Sequence, residues 1–168
     1  MNVIDSLEMT RSELVEEVHA IPVDLLTQKP AGGGWSVMEI LEHLSLLEAR
    51  IVKGIEASLL APERADLRPA PLELVKDRSR KLQAPSQAEP SGRYHTLADA
   101  LEALHGARQR TLEALASSIG TDAMDSHGFD HPAFGPMSAK QWVELIPLHE
   151  ARHLDQIREV AADLKSGS

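Results

Sequence analysis

Apolar residues recur at helical spacing in four stretches of this 168-residue chain. The first stretch carries Ile4, Leu7, Leu14, Val15 and Val18 and stops before Pro22; one further turn is expected within residues 23–30, ahead of Gly32, Gly33 and Gly34. The second carries Val37, Ile40, Leu41, Leu44, Leu47, Ile51, Ile55 and Leu59 and ends at Pro62. The third places Leu97, Leu101, Leu104, Leu112, Leu115 and Ile119 inward and closes at Gly120; the fourth carries Trp142, Leu145, Ile146, Leu148, Leu154, Ile157, Val160 and Leu164. Stripes of this period predict amphipathic helices that each turn one face to a core. Ser36 with Glu39, and Ser138 with Gln141, have the spacing of capping boxes at the starts of the second and fourth helices, and Thr96 caps the third.

The links are of two kinds. A long connection runs from Pro62 to Thr96; residues 72–82 within it predict a short surface helix, and the Pro- and Ser-rich residues 85–92 cannot continue one. Residues 121–137, which contain His131-Pro132-Ala133-Phe134-Gly135-Pro136, read as irregular, with no convincing strand. The expectation is an all-α fold: one four-helix bundle over residues 1–164, with residues 165–168 as a frayed tail. Long crossover connections free the helices from simple up-down-up-down order. Composition agrees, since Leu and Ala dominate and aromatic residues are only 3% of the chain.

Charge and cysteine content narrow the function classes. With 26 acidic against 17 basic residues and a formal charge of −9, the chain lacks the clustered positive charge of a nucleic-acid surface. No apolar run approaches the roughly 20 residues of a membrane span, and residues 1–10 lack a signal-peptide pattern, so a cytoplasmic protein is expected. The absence of cysteine removes disulfides, thiolate metal ligands and any internal thiol nucleophile. The eight histidines are then the main chemical resource.

His149-Glu150-Ala151-Arg152-His153 places two imidazoles four residues apart on one helix face, where both can reach one metal ion. Gln156 shares that face, and Pro147 is expected to kink the helix just upstream. His43 sits beside Ile40, Leu44 and Leu47 on a core-facing stripe, where an imidazole needs a partner. His43, His149 and His153 are therefore the candidate metal ligands: three neutral imidazoles that leave coordination positions open. Glu39 can orient His43 from outside the ligand shell, although its capping role suffices to explain it. His131 can order its loop or line a pocket. His19, His95, His105 and His127 read as surface or loop residues, Trp35 and Trp142 as packing anchors, and the triple glycine as a turn. His149-Glu150-x-x-His153 also matches the HExxH motif of metallopeptidases, in which the glutamate is the general base. Against that reading, no downstream third ligand follows, no strand is visible to hold a peptide, and His43 is left without a role.

Taken in order, Gly33-Gly34-Trp35-Ser36, Glu39, His43-Leu44, the Pro-rich link into the third helix, His131-Pro-Ala-Phe-Gly135, Gln141-Trp142, His149-x-x-x-His153 and Gln156-Ile157 resemble the DinB/YfiT-like family of metal-binding four-helix bundles, in particular its DinB_2-type members. The resemblance spans nearly the whole chain. It implies that His43, His149 and His153 hold nickel or zinc, that the helix order is not simple up-down-up-down, and that the protein forms a homodimer. It further implies a metal-dependent enzyme, either an S-transferase acting on a small electrophile with a low-molecular-weight thiol cosubstrate, or a hydrolase using water. A metal- or ligand-binding bundle without turnover is the alternative. Because the chain has no cysteine, any thiol must arrive with a cosubstrate such as bacillithiol, mycothiol or glutathione.

Overall fold

The computed structural model describes residues 1–80 and 84–167. Four long helices carry the fold: α1 (Val3–His19), α2 (Val37–Leu60), α3 (Leu97–Leu115) and α5 (Ala139–Ser166), with a single-turn α4 (Ala123–Ser126) before the last. Each start is capped as the local sequence requires. Asn2 accepts from the Asp5 amide, Thr96 from Asp99 and Ser138 from Gln141, and Ser36 with Glu39 completes a reciprocal capping box. Gln141 departs from that pattern: its side chain bonds both backbone groups of Ala70, tying α5 to the long connection instead of to Ser138. Gly33 and Gly34, both at positive φ, make the turn into α2.

Helix direction follows from two apolar clusters. At one end, Leu14 and Val18 of α1 meet Ile40 and Leu44 of α2, Ala100 and Leu104 of α3, and Leu154 and Ile157 of α5. At the other end, Leu7 meets Ile51, Ile55, Leu115, Leu145 and Ile146. Hence α1 and α5 run one way and α2 and α3 the other. This fits the expected departure from up-down-up-down order, but only one connection crosses from end to end. Because α2 and α3 are parallel, the 61–96 connection must travel back along the roughly 36 Å length of a 24-residue helix. Its described residues include 3-10 turns at Leu72–Lys76 and Ser86–Ala88. The surface helix expected over 72–82 is therefore one short turn, and Leu72 and Val75 bury their side chains against the second cluster; residues 81 and 82 lie outside the described residues. Lys165 and Ser166 extend α5 where a frayed tail was expected, and Ser168 lies outside the described residues.

The link from α3 to α5 contains the main departure from the sequence reading. Where no strand was expected, β1 (Gly128–His131) pairs antiparallel with β2 (Gly135–Ser138), with Phe129 opposite Met137 and His131 opposite Gly135. Tertiary packing holds this two-stranded ribbon. The Phe129 ring stacks on Trp142 at 4.2 Å and nearly parallel, the Trp142 indole donates to the Phe129 carbonyl, and the far end of the ring (Cζ, Cε1 and Cε2) lies against Gly54 of α2. Among the described residues, no helix is long and apolar enough to cross a membrane.

A Cβ at position 54 would overlap the Phe129 ring, which Trp142 prevents from retreating. Gly54→Ala should therefore lower stability: overpacking costs about 1–3 kcal/mol against a helix-propensity gain of about 1 kcal/mol. A fall in the thermal midpoint is the expected outcome, and Gly54→Ala/Phe129→Leu should recover part of it.

Candidate metal centre

α2 supplies His43 from its second turn, and α5 supplies His149 and His153 from its middle, directly across the core. Pro147 stands inside α5 two residues before His149, and the helix continues through it. The three imidazoles converge: the Nε2 atoms of His43 and His149 are 3.4 Å apart, those of His153 and His149 are 3.1 Å apart, and the ligand nitrogens of all three lie within 4.8 Å of one another. Metal–nitrogen bonds of about 2.0–2.1 Å separate neighbouring donors by about 2.9 Å in octahedral and about 3.4 Å in tetrahedral geometry, so the two spacings to His149 match a common ion, and the His43–His153 pair has to draw together on binding one.

The outer hydrogen bonds decide what these nitrogens offer. His43 Nδ1 donates to the carbonyl of Ala88 at 2.8 Å, an atom that can only accept. His153 Nδ1 faces Gln156 Oε1 at 2.7 Å. With their protons committed outward, both rings turn an Nε2 lone pair inward, which is the tautomer a metal ligand needs. Two lone pairs aimed at one point repel unless a cation or a donated N–H lies between them. Burial pushes all three histidines below their usual 6.5, His153 to about 3, and the neighbouring imidazoles lower His149 and His153 further. The neutral, ligating form is thus the one this environment favours.

The other residues marked by the sequence fall into place around this centre. Gln156 orients His153. Glu39 does not orient His43: its carboxylate accepts from the Ser36 amide and pairs with Lys29, and the Ala88 carbonyl takes that role. His131 sits at the end of β1, where its Nδ1 accepts from the Ala133 and Phe134 amides and its ring stacks on Phe134, so it orders the hairpin turn. Trp35 is more than an anchor, because its ring packs 4.8 Å from His43 and 6.5 Å from His153 and shields the centre. His19, His95 and His105 are exposed, and His127 bonds the Ala123 carbonyl at the end of α4.

One layer of the site was not read from the sequence. Between the two apolar clusters, Arg11 of α1 and Arg108 of α3 grip Glu48 of α2 and Glu150 of α5. Arg11 reaches Glu150 at 2.8 Å and Glu48 at 3.1 Å, and Arg108 reaches Glu48 at 2.8 Å and Glu150 at 2.7 Å. Arg11 and Arg108 also donate to the Leu104 and Leu7 carbonyls, and the Thr111 hydroxyl donates to Glu48. The signal for this layer was present, since each charge sits at i±3 or i±4 between inward residues, all apolar but Thr111: Leu7 and Leu14, Leu44 and Ile51, Leu104 and Thr111, Ile146 and Leu154. The layer also corrects the HExxH reading. Glu150 is 2% exposed and held by both arginines, so it is not free to serve as a general base.

Removing one member of this quartet strands buried charge. Arg108→Met should cost about 3–5 kcal/mol in urea unfolding, whereas Arg108→Met/Glu48→Met should recover much of the loss, because an apolar pair replaces an ion pair without leaving an orphan.

Comparisons with known proteins agree with this architecture. The chain is 29% identical over 150 residues to "Uncharacterized protein YuaE" of Bacillus subtilis (strain 168), covering 89% of this chain and 91% of that protein. A solved structure, "Crystal structure of TT2238, a four-helix bundle protein", superposes with a TM-score of 0.63 over 94% of this chain and 96% of that one, at 20% identity, and so shares the fold. Residues 6–157, which include all three converging histidines, match the family model described as the DinB superfamily. The chain belongs to the DinB superfamily.

Proposed function

We propose that the protein is a metal-dependent enzyme whose divalent ion, nickel or zinc, is held by His43, His149 and His153. One observation carries this reading: two imidazoles with their Nδ1 protons tied outward turn bare Nε2 lone pairs toward a third imidazole nitrogen. When bound, such an ion acts as a Lewis acid and lowers the pKa of a coordinated water or thiol. The chain's own residues do the rest. The Ala88 carbonyl and Gln156 hold the ring protons of His43 and His153, and Trp35 keeps bulk water from those two rings. We favour transfer of a low-molecular-weight thiol to a small electrophile over hydrolysis. The chain has no thiol of its own to compete for the ion, and a reducing cytoplasm suits such a cosubstrate. We take the working unit to be a homodimer. A second reading, a binding bundle without turnover, draws support from enclosure, since His43 and His153 are under a tenth exposed.

Untagged protein should purify with about one equivalent of nickel or zinc per chain, as expected for one three-imidazole site. Elemental analysis should show that metal lost in His43→Ala and in His149→Ala; unchanged content in both variants overturns the assignment. Metal-loaded protein offered a panel of low-molecular-weight thiols with a chromogenic electrophile should turn over well above His153→Ala. Activity equal to that control, with metal bound, favours the binding reading.

A further inference from the structure

The carboxylate next to a candidate ligand has no role in the scheme so far. Glu42, immediately before His43, is 2% exposed, and its partners lie in the crossover connection. One oxygen, Oε2, accepts from the Ser91 amide and hydroxyl, and the other, Oε1, accepts from the Arg93 amide at 2.8 Å. Three residues before Ser91, the carbonyl of the fully buried Ala88 receives the His43 Nδ1 proton. Adjacent residues of α2 therefore grip one short strap, residues 88–93, at its two ends.

Burying a carboxylate on backbone donors is a demanding way to hold a loop, and apolar packing would serve if adhesion were the only need. A carboxylate does what apolar packing cannot: two oxygens aimed at the amides of Ser91 and Arg93 set the strap's register to the residue. Only two residues, Glu89 and Pro90, separate Ser91 from Ala88, and proline restricts φ, so that register passes directly to the Ala88 carbonyl. A strap displaced by one residue would take the carbonyl from His43 Nδ1. The imidazole could then carry its proton on Nε2 and present N–H to the centre where a lone pair is needed.

We infer that Glu42 is a positioning residue for the metal centre: by docking the 88–93 strap it holds His43 in its ligating tautomer, and strap docking and metal binding are thereby coupled. This inference rests on the three-histidine metal reading. Coupling of this kind is reciprocal, so whatever factor docking adds to metal affinity, metal must add to docking.

The test uses the full chain with cobalt(II) alone as the probe. Glu42→Gln keeps the side-chain shape but replaces one acceptor oxygen with an NH2 facing an amide. It should weaken cobalt(II) binding about tenfold and alter the d–d absorption bands, in the range usual for loss of outer-shell support. Leu115→Ala, in the far apolar cluster, should lower the melting temperature and leave cobalt(II) affinity and spectrum unchanged. The reciprocal arm needs no variant: cobalt(II) should slow tryptic cleavage after the exposed Arg93 of wild-type protein by about the same tenfold factor. Glu42→Gln with a lowered melting temperature but cobalt(II) affinity within twofold of wild type overturns the inference, as does an equal loss of affinity in Leu115→Ala. If Glu42→Gln does not fold, wild-type cleavage at Arg93 that ignores cobalt(II) overturns it alone. His149→Ala binding cobalt(II) as tightly as wild type would instead defeat the metal reading beneath it.

Discussion

The bundle is organised around four charges that cannot be separated cheaply. Arg11, Glu48, Arg108 and Glu150 come from four different helices, and each carboxylate is held by both guanidiniums. In a low-dielectric layer between two apolar clusters, a helix shifted by one turn would leave at least one of these charges unpaired, at a penalty of several kcal/mol. Apolar side chains alone would tolerate such a shift far better, because hydrophobic burial is non-directional. The quartet thereby fixes the axial register of α2 against α5. That register places His43 opposite His149 and His153, within one or two turns of Glu48 and Glu150.

Around the histidines a second set of directional contacts converts proximity into chemistry. Ala88 and Gln156 assign the ring protons, and Trp35 covers two of the rings. The crossover connection takes part in this as much as the helices do. Arg152, next to His153, donates to the carbonyls of Val75, Asp77 and Arg80, while Glu42, next to His43, takes the amides of Ser91 and Arg93. A segment that topology demands, since two parallel helices need a long return path, is thus also part of the wall of the centre.

Much of the site was legible before the fold. The i, i+4 spacing of His149 and His153 and the inward phase of His43 are properties of a helix, readable from period alone. The hairpin was not legible, because its four-residue strands are held by Phe129 between Gly54 and Trp142, contacts distant in sequence. Glu39 has two roles open to it by spacing and takes only the local one. Glu150 fitted a peptidase motif by spacing, yet its partners on α1 and α3 give it a different role.

Four amphipathic helices, their caps and a donor set without thiolate are legible in the chain alone. Those follow from periodicity, local hydrogen bonding and the absence of cysteine, none of which depends on distant residues. The parallel placement of α2 and α3, the ion quartet, the hairpin, and the carbonyl that commits the His43 proton emerge only in the folded chain. Each of these joins residues far apart in the chain, by packing or by a directional contact, and one-dimensional spacing carries no information about which distant groups meet.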